Sequence, residues 1–244
     1  MTIAKNFLTT ADGRDILLLM AKTPIRKKTP RASTNIVASV SSVPLTEREK
    51  RNRHRGCVLW FTGLSAAGKS TIANELEAAL FARGCQTFVL DGDRVRHGLC
   101  SDLNFSENSR HENIRRVGEV AKLFAEAGFI CIAAFISPYR ADRERVRAMA
   151  GDHFVEVFVN APLKTCESRD PKGLYAKARA NQIKNFTGIS APYEPPLKAE
   201  IEVRTDKLSV AEAVAKILRH VQERFGVSPQ TSRPKPAKIA WRDW

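Results

Sequence analysis

Nine consecutive residues, Gly63-Leu64-Ser65-Ala66-Ala67-Gly68-Lys69-Ser70-Thr71, carry two glycines, a lysine and three hydroxyls and fit the spacing G-x4-G-K-[ST]. Each residue type has a task in binding a polyphosphate. Glycines let the backbone wrap round a phosphate with its N–H groups turned inward, and a following helix adds the positive end of its dipole. Lys69 then reaches the β and γ phosphates, and the Ser70 hydroxyl is placed to ligate Mg2+. A glycine-rich turn with a surface lysine would look the same in isolation. Context decides for the phosphate loop: an apolar run over residues 57–62 leads into it, and a helical pattern over 70–82, closed by Gly84, follows it.

A second group is Val89-Leu90-Asp91-Gly92-Asp93, two carboxylates at the end of the next apolar run. Ligands of α/β sheets lie beyond the carboxyl ends of the strands, so Asp91 and Asp93 are expected to face the phosphates. One carboxylate there holds Mg2+ or accepts the proton of an attacking hydroxyl. Arg94, Arg96, Arg110, Arg115 and Arg116 follow, with Phe105 among them. Arginines beside an aromatic ring suit an anionic, base-bearing ligand, through fork hydrogen bonds and stacking; Arg115 and Arg116 read better as a solvated helix face. A polar, basic stretch from Arg169-Asp170-Pro171-Lys172-Gly173-Leu174-Tyr175 to Lys184 suits a lid that excludes water, or an ordinary surface helix and loop. These residues describe a phosphotransferase acting on a small anionic acceptor.

The elements that must position them are legible. Residues 57–62, 87–90, 129–136 and 154–159 are short, nearly continuous apolar runs, as parallel strands buried on both faces should be, with 201–204 a weaker fifth. Ser109 and Glu112 read as a capping box opening a helix with Ile114, Val117, Val120, Ala121 and Phe124 on one face, closed by Gly128. Asn160 with Pro162 marks another helix start, and Ser209 with Glu212 a second capping box. Strands alternating with helices predict an α/β fold: a three-layer sandwich of the P-loop NTPase type around a mainly parallel central sheet.

The 244 residues, 43% hydrophobic and 27% charged, exclude a wholly disordered, collagen-like or coiled-coil chain. The net charge of +14 is mostly terminal: residues 1–55 hold 12 Lys and Arg against four Asp and Glu, and residues 226–244 hold four against one. Residues 1–50 therefore read as a basic, flexible arm, 51–226 as the phosphate-binding domain and 227–244 as a basic, Pro-rich tail, and nucleic acid is not expected as a partner. The apolar run from Ile16 to Ala21 is too short to span a membrane and follows Asp12 and Asp15 rather than a basic leader, so neither a membrane partner nor a signal peptide is expected. Five cysteines without C-x-x-C spacing point to a reducing cytoplasm, the alternative being an organelle if the Ser- and Thr-rich arm is a transit peptide.

Six blocks in order resemble the adenylyl-sulfate (APS) kinase family, a family of P-loop kinases. They are residues 61–71, Leu90-Asp91-Gly92-Asp93 with Val95-Arg96-His97-Gly98-Leu99, Glu112-Asn113-Ile114-Arg115-Arg116, Phe135-Ile136-Ser137-Pro138-Tyr139-Arg140, residues 170–180, and Ile183-Lys184-Asn185-Phe186-Thr187-Gly188-Ile189. The resemblance implies transfer of the ATP γ-phosphate to the 3′-hydroxyl of adenosine 5′-phosphosulfate, giving PAPS and ADP. It implies ATP on residues 63–71, and catalysis by Lys69 and by Asp91, which serves Mg2+ or the acceptor hydroxyl with Asp93 in support. It places Arg96, Arg110 and Asn113 on the phosphosulfate nucleotide, Phe105 against its adenine and Tyr193 on the adenine's other side. Ile136 and Ser137 line that pocket; Ser137 matches a serine assigned in some members as a phosphoserine intermediate, although in-line transfer needs only positioning and charge stabilisation. Lys172, Gly173, Leu174 and Tyr175 open the lid, which Lys184 closes on the substrate side. A homodimer and an ATP sulfurylase partner are further implications. The chain departs from the family pattern at Ala66, Arg94, Asn104, Ser109 and Asn181, where Gly, Asn, Gly, Asp and Gly are usual. The competing readings are another P-loop small-molecule kinase, acting on a nucleoside monophosphate or sugar acid, and a non-catalytic nucleotide-binding subunit.

Overall fold

The computed structural model describes residues 41–228. Five strands, β1 (Cys57–Thr62), β2 (Thr87–Asp91), β3 (Ile130–Ala134), β4 (Phe154–Asn160) and β5 (Ile201–Arg204), form one parallel sheet in the spatial order β2-β3-β1-β4-β5. The central strand explains the apolar runs. Leu59 and Phe61 of β1 pack with Ile72, Leu76 and Leu80 of α2 (Lys69–Ala82) and Ile217 and Val221 of α8 (Val210–Phe225). Val58 and Trp60 face Ile114, Val117 and Ala121 of α4 (Glu107–Glu126) and Val146 of α5 (Arg140–Ala150). Both faces of β1 are closed, so alternation disappears from its sequence.

The third strand ends earlier than its apolar run suggests. The Phe135 N–H still reaches the Phe61 carbonyl at 3.2 Å, but Ser137 adopts φ 38° and turns the chain out of the sheet. The remaining helices are α1 (Leu45–Asn52), α3 (Gly92–His97), α6 (Leu163–Arg169) and α7 (Leu174–Arg179).

Two expected caps are corrected and one is found. The start of α4 is capped by Ser106, whose side chain accepts from the Ser109 N–H, so the helix begins one turn before the expected Ser109–Glu112 box. Glu112 is drawn away by stronger partners: it accepts from Arg115 and Arg116 at 2.8–2.9 Å, and those guanidiniums hold its carboxyl down at about 2. Helix α6 takes Pro162 itself as N-cap, and the Asn160 side chain instead donates to Glu202 on the neighbouring strand. Ser209 and Glu212 form the reciprocal box that opens α8.

The expected arm of residues 1–50 gives way to structure before its end. Helix α1 occupies 45–52 and ties itself down by two polar contacts: Asn52 donates to the Gly128 carbonyl at 2.9 Å, and Glu49 accepts from the Gly56 N–H at 3.1 Å. Its lack of buried apolar residues hid it from a periodicity reading. Residues 1–40 and 229–244, with most of the basic charge of the two ends, lie outside the described residues.

Candidate functional site

Strand order decides what converges. The loop after β1 leaves the middle of the sheet; loops after β2 and β3 emerge on one side of it and those after β4 and β5 on the other. One cavity of about 630 Å3 runs across all of them. Its centre is Ser65, Ala66, Gly68, Lys69 and Ser70 with Asp91 and Asp93; Arg96, Phe105, Arg110, Asn113, Ile136 and Ser137 line one wing, and Arg169, Asp170, Thr205, Leu208 and Val210 the other.

The phosphate loop is braced from outside. Gly63 takes φ 153°, and a Cβ there would stand 2.3 Å from the Val159 carbonyl oxygen. Lys69 donates to the Gly63 and Leu64 carbonyls at 2.9 and 2.7 Å, Tyr175 Oη to Ser65 O at 3.1 Å, Arg169 to Ala66 O at 3.5 Å, and Thr205 Oγ1 to Ala67 O at 2.8 Å. Five successive carbonyls are thus taken up by side-chain donors, and the Leu64 carbonyl also accepts from the Ala67 N–H at 3.2 Å; loops of this kind meet a phosphate with their free peptide N–H groups. Burial holds Lys69 down to about 8.

Ala66 sits at φ 58°, in the left-handed region where glycine has no Cβ penalty. The usual family glycine therefore has a conformational reason, and this chain carries the strain of alanine. Ala66→Gly should stabilise the ligand-free protein by about 0.5–1 kcal/mol, the αL cost less the extra entropy that glycine loses on folding. Thermal unfolding would read this as a rise in Tm of about 2 °C. Asn181 shows the same left-handed geometry, φ 57°. Asn104 acts differently from a glycine substitute: its side chain accepts from the Ser106 N–H at 2.8 Å, building the turn that enters α4. Arg94 lies over the Phe88 ring, 5.7 Å from its centroid, and does not line the cavity, so it adds no charge there.

At the centre, Ser70 Oγ donates to Asp91 Oδ2 at 2.7 Å, while Asp91 Oδ1 caps α3 by accepting from the Asp93 N–H at 3.0 Å. One hydroxyl and one carboxylate beside a phosphate loop are the donor set of a magnesium ion that keeps most of its remaining ligands as water and substrate phosphate. Asp93 is ion-paired with Lys172 across the cavity mouth.

On the β2–β3 wing, Arg96 covers Phe105 with its guanidinium 4.4 Å from the ring centroid. Arg110 donates to the carbonyls of Phe105 and Asn185 and to Thr187 Oγ1. Burial lowers the pKa of both arginines, which stay cationic. Asn113 is 4% exposed and its Oδ1 has no hydrogen-bond partner; a buried orphan acceptor facing a cavity is a place for a ligand donor. Ser137 is 2% exposed, accepts from the Trp60 indole at 3.1 Å, and offers its carbonyl to Arg143 at 2.7 Å. Arg143 is itself buried against Glu156 at 2.6 Å.

Several expected residues stand elsewhere. Tyr193 is outside the cavity: its hydroxyl pairs with Thr62 Oγ1 at 3.0 Å, its ring stacks on Phe158, and burial pushes its pKa up to about 12. It does not line the cavity that Phe105 lines. Phe186, which sequence reasoning passed over, lines the cavity instead, edge-on to Tyr175. The signal available was its place between a lid-like basic stretch and Thr187-Gly188, a position for an aromatic with no strand or helix pattern around it. Tyr175, 2% exposed and bonded to the phosphate loop, is an anchor rather than a moving cover. Lys184 and Gly173 do not line the cavity, whereas Lys172 and Leu174 do. Gly63, Leu64 and Ala67 belong to the outer, braced side of the loop. Arg115 and Arg116 are ion-paired with Glu112, and Arg116 also with Asp102, on the outer face of α4. Among the described residues no cluster of three or more His, Cys, Asp or Glu could hold a metal ion, and no helix is long and apolar enough to cross a membrane.

Comparison with known proteins converges on one family. The family model for adenylylsulphate kinase matches residues 55–204. The adenylyl-sulfate kinase of Marinobacter nauticus is 58% identical over 193 residues, covering 78% of this chain and 96% of that protein. That of Acaryochloris marina is 54% identical over 202 residues, covering 82% and 98%. Among solved structures, the Mycobacterium tuberculosis APS kinase in complex with AMPPNP and APS is 45% identical, with a TM-score of 0.65 over 68% of this chain and 96% of that one.

Proposed function

The chain belongs to the adenylylsulphate kinase family, and from that premise we propose how its residues divide the family's reaction, transfer of the ATP γ-phosphate to the 3′-hydroxyl of adenosine 5′-phosphosulfate. ATP occupies the phosphate loop and the β4–β5 wing. The acceptor nucleotide occupies the β2–β3 wing, where two of the three cavity-lining arginines, Arg96 and Arg110, are found with the exposed Phe105 and the buried Phe186. The observation that carries this division is the pairing of Arg96 over Phe105 with Arg110 at Thr187: two cations and two rings in one wing suit a base bearing an extra anionic group.

Lys69 exchanges the carbonyls of its own loop for the β and γ phosphates. Ser70 and Asp91 would hold Mg2+, which when bound would neutralise phosphate charge. The acceptor 3′-oxygen bonds to the γ-phosphorus as the bridging oxygen of ADP leaves, and the hydroxyl proton passes to a carboxylate of the Asp91–Asp93 pair. Lys172 gives up Asp93 as substrates enter and turns to the transferring phosphoryl, so the lid closes on charge rather than on apolar surface. A homodimer and an ATP sulfurylase partner remain expectations from the family.

Release of ADP from Mg-ATP should require adenosine 5′-phosphosulfate and fail with AMP, shikimate or gluconate. Phe105→Ala and Phe186→Ala should each raise KM for the acceptor about tenfold with little change for ATP, the range of one base–aromatic stack, while Tyr193→Phe leaves both unchanged. Turnover of AMP, or an ATP effect from the phenylalanine variants, would reverse the assignment of the wings.

A further inference from the structure

Trp60 is one residue type that neither the phosphate loop nor the acceptor wing calls for, and its place is unusual. It lies on the central strand, fully buried, and stacks on Phe135 and Phe154 with centroids 5.8 and 6.4 Å away. Packing alone would be served by phenylalanine. The indole N–H has a single partner, Ser137 Oγ, at 3.1 Å.

Ser137 is held from every direction except the cavity. Its carbonyl is fixed by Arg143, its backbone is in the left-handed region at φ 38°, and the preceding carbonyl of Ile136 accepts from Thr62 Oγ1 at 2.7 Å. A serine hydroxyl offers one donor and two lone pairs. The indole takes a lone pair and thereby selects the rotamer, and the O–H that remains has the cavity, which Ser137 lines, as its open direction. A strained, non-glycine backbone held this firmly is a common mark of a group whose direction matters.

We propose that Trp60 is a positioning residue for the acceptor nucleotide: its indole N–H aims the Ser137 hydroxyl as a hydrogen-bond donor to an anionic oxygen of that substrate. Ser137 then binds through its proton and carries no phosphoryl group in the reaction cycle. A phosphoryl group on Oγ would take the place of the proton that faces the cavity and so remove the donor. This inference rests on the assignment of the acceptor to the β2–β3 wing.

Trp60→Phe removes the indole N–H together with the five-membered part of the ring and leaves a phenyl ring in the stack. It should raise KM for adenosine 5′-phosphosulfate roughly tenfold, the worth of one hydrogen bond, with KM for ATP unchanged and kcat within about twofold of wild type. Ser137→Ala should give the same selective change, and the double variant should be no worse than Ser137→Ala alone, since both remove one interaction. A second measurement does not depend on the stability of Trp60→Phe. With Trp241→Phe and Trp244→Phe, Trp60 becomes the only tryptophan of the chain. Titration with adenosine 5′-phosphosulfate should then shift its emission, and the Ser137→Ala substitution should abolish that shift. Equal effects on both substrates, additive effects in the double variant, an emission change that survives Ser137→Ala, or loss of kcat in Ser137→Ala would each overturn the proposal. Failure of the wild-type protein to use adenosine 5′-phosphosulfate would instead remove the wing assignment beneath it, so the two failures are distinguishable.

Discussion

Replacing Lys69 with alanine lowers kcat by an expected 10²–10³-fold while the protein still folds and unfolds cooperatively. The magnitude is that of removing one pre-aimed charge from a developing phosphoryl transition state in a water-poor site. Folding survives because the lysine is bound to carbonyls of its own loop and not to a buried acid. The same burial gives a pH signature. With its pKa at about 8 in the ligand-free protein, Lys69 is losing its proton above pH 8, whereas bound phosphates favour the cation. ATP binding therefore takes up a proton above pH 8, and KM for ATP should rise by up to tenfold per pH unit from there. Between about 8 and the unfolded value of 10.5 the unfolded chain binds more protons at this group, so its contribution to stability improves as pH rises through that window. Steady-state kinetics from pH 7 to 9.5, with Lys69→Ala as the flat control for stability, would check both signs. A KM for ATP that is constant across that range contradicts them.

Asp91→Asn is expected to cost about 100-fold in kcat and to raise the magnesium concentration needed for half-maximal rate. Asparagine keeps an oxygen for the Asp93 N–H, so α3 retains its cap, but it cannot supply the charge that would hold Mg2+ beside Ser70 in the proposed reaction. The helix cap thus separates the structural from the chemical half of one side chain. Circular dichroism and Tm should be close to wild type. An effect confined to KM of the acceptor would move Asp91 from the metal to the acceptor hydroxyl.

The parallel sheet was readable because its inner strands have no solvent face; residues 57–62 and 154–159 could hardly be anything else in a chain with a phosphate loop after the first. The α4 start was misread because Ser106 and Ser109 are equally good caps by type, and only Arg115 and Arg116 decide the matter by capturing Glu112. Helix α1 escaped because polar contacts, not an apolar stripe, fasten it. Within the site, Lys69, Asp91, Arg96 and Arg110 were legible from type and spacing. Phe186 lines the cavity and Tyr193 does not, a distinction hidden because both are aromatics in irregular chain after the lid, where no period says which way a ring points. Trp60 and Ser137 are 77 residues apart, joined through neighbouring strands, and no local pattern announces such a bond.

The braced phosphate loop has a consequence for where the cost of order falls. Its carbonyls are tied by side chains from four separate stretches of chain, at Lys69, Arg169, Tyr175 and Thr205. A loop left free would have to freeze each time a nucleotide arrived, and its affinity would be lower by that entropy. Here the freezing accompanies folding itself and is not repeated in each turnover. Temperature should then act on nucleotide affinity mainly through the side chains that change partners, Lys69 and Lys172, and little through the backbone that forms the mould.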